Sequence, residues 1–167
     1  HGDMAAYGNA KALLFKRREL KQAIINLDDD HAGDMMKDCR ASVLTYAVQR
    51  GDADVRAVDR MPIGHTQQFM LVNQGQRVQV ETPFVGTHVV ANMLAVAGVL
   101  HTLGWPPERV AQALSQLPPV PGRFEPVQAI VPKPSLPQVV VDYAHTPDGL
   151  RNALDALVPL ARARAGR

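Results

Sequence analysis

The sequence is poor in the residues that build disulfide scaffolds, metal cages and membrane spans. Cys39 is the only cysteine in 167 residues, which excludes an intrachain disulfide and a cysteine-based zinc cage. No apolar run approaches the ~20 residues of a membrane helix. The first residues, 1–4, show neither the basic nor the apolar region of a signal peptide. Together these absences predict a reducing, cytoplasmic location and no membrane partner.

Charge of one sign is also scarce. The 18 lysines and arginines nearly balance 16 aspartates and glutamates, and the formal net charge of +2 predicts no nucleic-acid partner. Apolar residues make up 46% of the chain, enough for a packed core. The chain begins inside the pattern of a loop-to-helix junction and ends where a βα unit would need its next strand. Both ends therefore predict a fragment of a longer protein.

Alternating apolar patterns predict a mixed α/β fold. Helical spacing predicts helices over 4–18, near 31–39, and over 86–103, 107–117 and the stretch after 146. Apolar runs predict strands at 22–26, 42–48, 55–58, 67–73, 77–81, 127–131 and 139–141, with 67–73 and 77–81 forming an antiparallel hairpin.

Two helices carry specific expectations. Helix 86–103 has almost no charge and should be buried on most sides, so Asn92 would be a buried amide that ties down a loop or contacts a ligand. Pro159 should kink or end the last helix. That helix should bury one face, formed by Leu150, Ala153, Leu154, Leu157, Val158 and Ala161.

A proline-rich segment predicts the boundary between two domains. Residues 118–122 read Pro-Pro-Val-Pro-Gly, which no helix can continue. We therefore predict one domain over residues 1–120 and the start of another over 121–167.

Residues 139–148 predict a strand, a short polar loop and a helix. Asp142 follows three buried-type valines, and Thr146 can cap a helix that begins at Pro147. Ligands gather at the carboxyl ends of strands in open α/β sheets, so Asp142 and His145 are site candidates. An Asx-type turn that closes an ordinary βα unit explains Asp142 equally well.

Two further polar features allow more than one interpretation. The run Asp28-Asp29-Asp30 could bind a cation through carboxylate oxygens or could cap the next helix. Lys11 borders the apolar stripe of the first helix, a position that on the pattern alone favours an ordinary surface lysine.

Four motifs occur in an order that resembles the Mur ligase family. They are H-G-D-M-x-x-Y-x-x-A-K-x-x-L-F at 1–15, N-x-D-D at 26–29, P-G-R-F-E at 121–125 and D-Y-A-H-T-P-D-x-L at 142–150. The nearest resemblance is to the branch that adds the third amino acid of the peptidoglycan stem peptide to UDP-N-acetylmuramoyl-L-alanyl-D-glutamate (MurE type).

The resemblance implies an α/β fold in which part of the central, P-loop-type ATP-binding domain precedes the first portion of a Rossmann-like C-terminal domain. It implies an ATP- and Mg²⁺-dependent enzyme in which a peptide carboxylate is phosphorylated and the acyl phosphate is attacked by an amino group. The implied partners of the parent are UDP-N-acetylmuramoyl-dipeptide and an amino acid, and the parent is expected to be monomeric.

The resemblance also implies roles for individual residues. Lys11 matches a lysine that the family carries as a carbamate able to bind magnesium, which requires an amine with a lowered pKa. Arg123 matches an arginine near the ATP phosphates, and Asp142 matches an aspartate near the ribose. Asn92 matches an asparagine near adenine, and His145 lies in the Asp142 loop.

The sequence departs from the family pattern in several places. His88 and Val89 replace the Phe and the first Asn of G-x-F-N-x-x-N, and Asp30 stands where Pro is usual. The phosphate-binding loop G-x-x-G-K-[ST] is missing from the chain, so we predict that residues 1–167 alone have no ligase activity.

The resemblance leaves two other readings open. One is a related ligase, such as the D-alanyl-D-alanine-adding enzyme or a folylpolyglutamate synthase. The other is a non-catalytic, truncated nucleotide-binding remnant. In each case the central portion would carry an unpaired sheet edge, which predicts poor solubility.

Overall fold

The computed structural model describes residues 3–63, 66–118, 120–127, 137 and 139–163. The chain forms both helices and strands, as the apolar patterns predicted. The elements are α1 (Met4–Phe15), β1 (Gln22–Asn26), α2 (Ala32–Met36), β2 (Ser42–Ala47), β3 (Val55–Ile63), β4 (Thr66–Asn73), β5 (Gln76–Thr82), α3 (Thr87–Thr102), α4 (Pro107–Ser115), β6 (Glu125–Val127), β7 (Val139–Val141) and α5 (Pro147–Ala163).

The main sheet has five strands in the order β1-β2-β3-β4-β5. Strands β1, β2 and β3 are parallel, whereas β3, β4 and β5 are antiparallel. The predicted hairpin is confirmed: β4 and β5 pair from Gln67↔Thr82 to Asn73↔Gln76. The sheet therefore joins a parallel half to an antiparallel half at β3.

Strand β3 contains a bulge that separates its two pairing regions. Val58 pairs with Met70 and Met61 with Gln68, so two residues of β3 oppose one of β4. The first of the two, Asp59, has a φ of +52°. The second, Arg60, donates from Nη1 to the Thr87 hydroxyl at 3.2 Å, which links the bulge to the first residue of α3.

Helices α3 and α4 cover one face of the main sheet. The core between them contains Val55, Ala57, Phe69, Leu71 and Val80 from the strands, and Val90, Met93, Leu94, Ala97, Val110, Ala111 and Leu114 from the helices. The inward face of α4 is therefore formed by Val110, Ala111 and Leu114. Gly98 lets α3 approach the sheet closely, because a Cβ there would lie 2.9 Å from Ile24 Cγ2.

Helix α3 is buried on one face only, which corrects the prediction that it is buried on most sides. Val96, Val99 and Leu103 are each more than 40% exposed, and Asn92 is exposed as well. The sheet covers a single stripe of the helix. A low content of charge therefore did not translate into burial, and Asn92 is not the buried amide that was expected.

The last elements form a second, smaller packing unit. Strands β6 and β7 pair antiparallel through Pro126↔Val140, and α5 packs beside them. The buried residues of this unit are Phe124, Ala153, Ala156 and Leu160, joined by Val85 from the loop after β5. The predicted strand 127–131 lies outside the described residues beyond Val127. A division into two domains at 120/121 stays a prediction.

Expectations for this unit were wrong or only partly right. Strand β7 is not buried, since Val139 and Val141 are 50% and 45% exposed on a ladder of two short strands. Of the predicted face of α5, Ala153 is buried and Leu157 packs against the core, but Leu150, Leu154 and Val158 are exposed, and Ala156 and Leu160 are buried instead. The helix does not end at Pro159 but continues to Ala163, and a kink there stays a prediction. Apolar spacing identified the helix, but the buried face also includes Ala156 and Leu160, which pack with Val85 and Phe124.

The aspartate run after β1 serves the fold in a way that neither reading anticipated. Asp28 accepts the backbone N–H groups of Val48, Gln49 and Arg50 at 2.6, 3.1 and 3.1 Å. Asp29 accepts only the N–H of His31, and α2 has no side-chain cap. Asp28 thus ties the end of β1 to the chain that follows β2.

Helix α1 ends at Phe15, three residues before the predicted end, and packs near α2. Gly8 lies against the His31 ring. None of the helices in the described ranges is long and apolar enough to cross a bilayer.

Candidate functional site

Asp142 joins the two loops that form the candidate site. Strand β7 ends at Val141, as predicted, and Asp142 follows it. Its Oδ2 accepts the Phe124 N–H and its Oδ1 accepts the Ala144 N–H, both at 2.8 Å. The second contact is the Asx-type turn considered from the sequence. The first reaches across to the segment before β6, so one carboxylate fixes both loops.

Phe124 has an uncommon backbone conformation, and it differs in burial from Arg123, the residue before it. Its φ of +48° lies in the left-handed region, which a non-glycine residue adopts at an energetic cost. The Phe124 ring is buried in the second core, while Arg123 is exposed. The Arg123 guanidinium lies 5.1 Å from the centroid of the Tyr143 ring.

His145 stands on the other loop, directly before the start of α5. Its Nδ1 is 3.0 Å from the Tyr143 carbonyl oxygen, and its ring meets the Tyr143 ring edge-on at 4.9 Å. Thr146 caps α5 as predicted, because its hydroxyl accepts the Gly149 N–H at 3.1 Å. The polar loop therefore leads directly into the helix, as the sequence indicated.

These loops and α3 enclose a cavity of about 730 Å³. Four of the five residues chosen from the sequence line it: Asn92, Arg123, Asp142 and His145. Its apolar wall is formed by Phe84, Val89, Met93, Val96, Leu117 and Val120. We call this space the loop cavity.

His88 lies where the loop cavity meets a second cavity. Its ring is 6.0 Å from the Phe124 ring in an edge-on arrangement, and it is half-buried. Burial lowers the pKa of His88, and the negative charge of Asp142 offsets this only in part. The imidazole is therefore neutral at neutral pH. The sequence analysis noted His88 as a departure from a motif but did not choose it as a site residue.

The second cavity, of about 670 Å³, lies between the bulge of β3, the start of α3 and α5. Its walls include Arg60 and Thr87, and Asp155 of α5. Gln67 is buried in the wall and accepts the Gly86 N–H at 3.1 Å. No residue selected from the sequence for binding lines this cavity, so the loop cavity is the better supported site.

Lys11 does not line the loop cavity and is exposed, which agrees with the ordinary surface lysine that its position on the helix favoured. Its Nζ sits 4.4 Å above the Tyr7 ring on the same helix. The assignment of a carbamate to Lys11 stays a prediction.

The residues of the loop cavity suit a nucleotide. The apolar wall of the loop cavity suits a flat base, and Arg123 at its edge offers a fork of N–H donors to phosphate oxygens. In the described ranges, no cluster of three His, Cys, Asp or Glu side chains could hold a metal ion.

Tyr143 is the residue of this site that sequence reasoning missed. It lies between Asp142 and Ala144 in the D-Y-A-H motif and lines the cavity, although its side chain is 63% exposed. An aromatic residue inside a loop of polar ligand candidates was the available signal.

Known proteins resemble this chain over most of its length. The chain is 39% identical over 160 residues to the UDP-N-acetylmuramoyl-L-alanyl-D-glutamate--2,6-diaminopimelate ligase of Xanthomonas campestris pv. campestris (strain 8004), covering 94% of this chain and 32% of that protein. A solved structure of a ligase with the same name is 34% identical, has a TM-score of 0.76, and is matched over 94% of this chain and 32% of its own. The chain thus spans about a third of the length of these relatives.

A more distant solved structure shares the fold. MurF ligase from Thermotoga maritima, in complex with ADP, is 19% identical with a TM-score of 0.78, over 94% of this chain and 35% of its own. The sequence profile of the Mur ligase middle domain matches residues 1–100. Since this match covers more than half of the chain, the protein belongs to the Mur ligase family.

Proposed function

We propose that this chain supplies the base- and ribose-facing wall of the ATP site in a ligase that forms an amide bond. The observation that supports this most directly is the loop cavity, in which Asn92, Arg123, Asp142 and His145 come together from helix α3 and two loops. These segments are up to 53 positions apart in the sequence (145 − 92), and the resemblance had assigned all four to the nucleotide.

The proposed reaction is the addition of the third amino acid to UDP-N-acetylmuramoyl-L-alanyl-D-glutamate through an acyl phosphate. The relatives at 34–39% identity are named as ligases for 2,6-diaminopimelate, so we propose that amino acid for the parent. When ATP is bound, it supplies the phosphoryl group that activates the peptide carboxylate.

Three residues of the loop cavity have a definite task in this proposal. Arg123 neutralises phosphate charge from the cavity edge, and Asn92 contacts the base from α3. Both Asp142 oxygens already accept a backbone N–H, so a ribose hydroxyl would use their remaining lone pairs. Asp142 therefore fixes the loops first and orients the sugar second.

Lys11 and magnesium belong to the proposal only as predictions. The described residues provide no carboxylate cluster near Lys11, and we assign no step to the metal. The chain also lacks a Gly-Lys phosphate loop. We therefore expect residues 1–167 to bind an adenine nucleotide without turning it over.

Calorimetric titration of residues 1–167 with ADP tests the proposal. We expect saturable binding that is weakened by Arg123→Ala and by Asn92→Ala. Arg109→Ala is the matched control, because Arg109 is another exposed arginine stacked on an aromatic ring and lies outside the loop cavity. Binding that neither cavity variant alters, or no binding at millimolar ADP, would refute the proposal. Robust ATP turnover by the purified chain would refute the predicted inactivity.

A further inference from the structure

We propose that Tyr143 is a positioning residue that holds Arg123 and His145 at the wall of the loop cavity before any ligand arrives. Its ring lies under the Arg123 guanidinium, and both its ring and its carbonyl oxygen contact His145. The consequence for phosphate binding rests on the function proposed above, whereas the ordering of the two side chains does not.

The backbone on both sides of Tyr143 is already fixed. Asp142 accepts the N–H of Ala144, the residue after Tyr143, and the N–H of Phe124, the residue after Arg123. The two bonds set the positions from which the Tyr143 and Arg123 side chains leave the chain. The ring and the guanidinium therefore meet because one carboxylate holds their two loops together.

Burial does not explain why an aromatic residue stands here. The Tyr143 side chain is 63% exposed, and it is absent from the core of Phe124, Ala153, Ala156 and Leu160. Its ring lies 5.1 Å from the Arg123 guanidinium and 4.9 Å from the His145 ring, with an interplanar angle of 60° between the two rings. An exposed ring whose neighbours are a cation and an imidazole acts through them rather than through the core.

Pre-ordering matters most for Arg123. An exposed arginine samples many rotamers, and a ligand that binds it in one rotamer lowers its conformational entropy, which weakens binding. A ring beneath the guanidinium removes part of this cost in advance and leaves the N–H fork free for oxygen acceptors. His145 is restrained in parallel by the 3.0 Å contact between its Nδ1 and the Tyr143 carbonyl oxygen.

The first test measures the ligand-free chain. In residues 1–167 labelled with ¹⁵N-arginine, the {¹H}–¹⁵Nε heteronuclear NOE of Arg123 reports the order of its side chain. We expect Tyr143→Leu to lower this value and Tyr143→Phe to preserve it, because phenylalanine keeps the ring face. Arg109, 3.8 Å from the Trp105 centroid, provides an internal reference that should not change. An Arg123 value unaffected by Tyr143→Leu would overturn the proposal.

The second test compares two ligands that differ only in phosphate. Tyr143→Leu should weaken ADP binding about threefold, the factor expected for one exposed cation–π contact, and should leave adenosine affinity unchanged. Tyr143→Phe should bind both ligands as the original chain does. Equal weakening of ADP and adenosine would overturn the positioning role. If the original chain binds neither ligand, the proposed function fails while the NOE measurement still decides the role of Tyr143.

Discussion

Replacing Asp28 with asparagine should destabilise the fold by about 2.5–4 kcal/mol, because one carboxylate there serves three backbone donors. Oδ2 accepts the N–H of Val48 at 2.6 Å and of Gln49 at 3.1 Å, and Oδ1 accepts the N–H of Arg50 at 3.1 Å. An asparagine retains one acceptor oxygen and replaces the other with an NH₂ group. The change therefore removes hydrogen bonds and places the donor NH₂ group against backbone N–H donors.

The magnitude follows from the burial of each bond. Val48 is buried, so its bond to a charged acceptor contributes about 1.5–3 kcal/mol. Gln49 and Arg50 are exposed, and water replaces their bonds at a cost of about 0.5 kcal/mol each. Adding these contributions gives the stated range, which is a large part of the stability of an ordinary domain.

Urea unfolding followed by circular dichroism measures this loss directly. The matched control is Asp30→Asn, since Asp30 is an exposed aspartate in the same loop with no hydrogen-bond partner among the described residues. We expect the control to change the free energy of unfolding by less than ~0.5 kcal/mol. If the Asp28 and Asp30 variants unfold at the same urea concentration, the clamp does not stabilise the fold as reasoned.

Three further predictions concern the core and pH. Because burial lowers the pKa of His88 below its ordinary 6.5, the unfolded chain binds more protons in mild acid. The stability contributed by neutral His88 is complete above pH 6.5 and is lost as the pH falls through and below that value. Urea titrations at several pH values should show a smaller pH dependence of the free energy of unfolding in His88→Phe. Gly98→Ala should lower the free energy of unfolding by about 1 kcal/mol, because the clash of its Cβ with Ile24 outweighs the higher helix propensity of alanine. The control Gly33→Ala should not destabilise the fold, because no atom lies within 4 Å of the added Cβ. Leu114→Ala should lower the free energy of unfolding by about 2–5 kcal/mol in the same assay, since Leu114 is fully buried.

Local pattern was sufficient to predict most elements of the fold. Strand β1 begins and ends at the predicted residues, and the β4–β5 hairpin has the predicted partners. Alternating β-branched residues and a short turn determine such elements without distant contacts. Capping by Thr146 was predictable for the same reason, because it depends on residues only three positions apart.

Features that depend on distant contacts were not predictable. The clamp made by Asp28 reaches residues 20 to 22 positions away, and the one made by Asp142 reaches back 18. The outward face of α3 and the buried face of α5 depend on what packs against them, which periodicity does not encode.

The division of the main sheet at β3 has a consequence for how the chain folds. Strands β3, β4 and β5 follow one another along the sequence and pair with their immediate neighbours, so their contacts close short loops. The pairing of β1 with β2 must wait for all of α2 to be placed, which costs more loop-closure entropy. In pulse-labelled hydrogen exchange, the amides of β4 should become protected before those of β1.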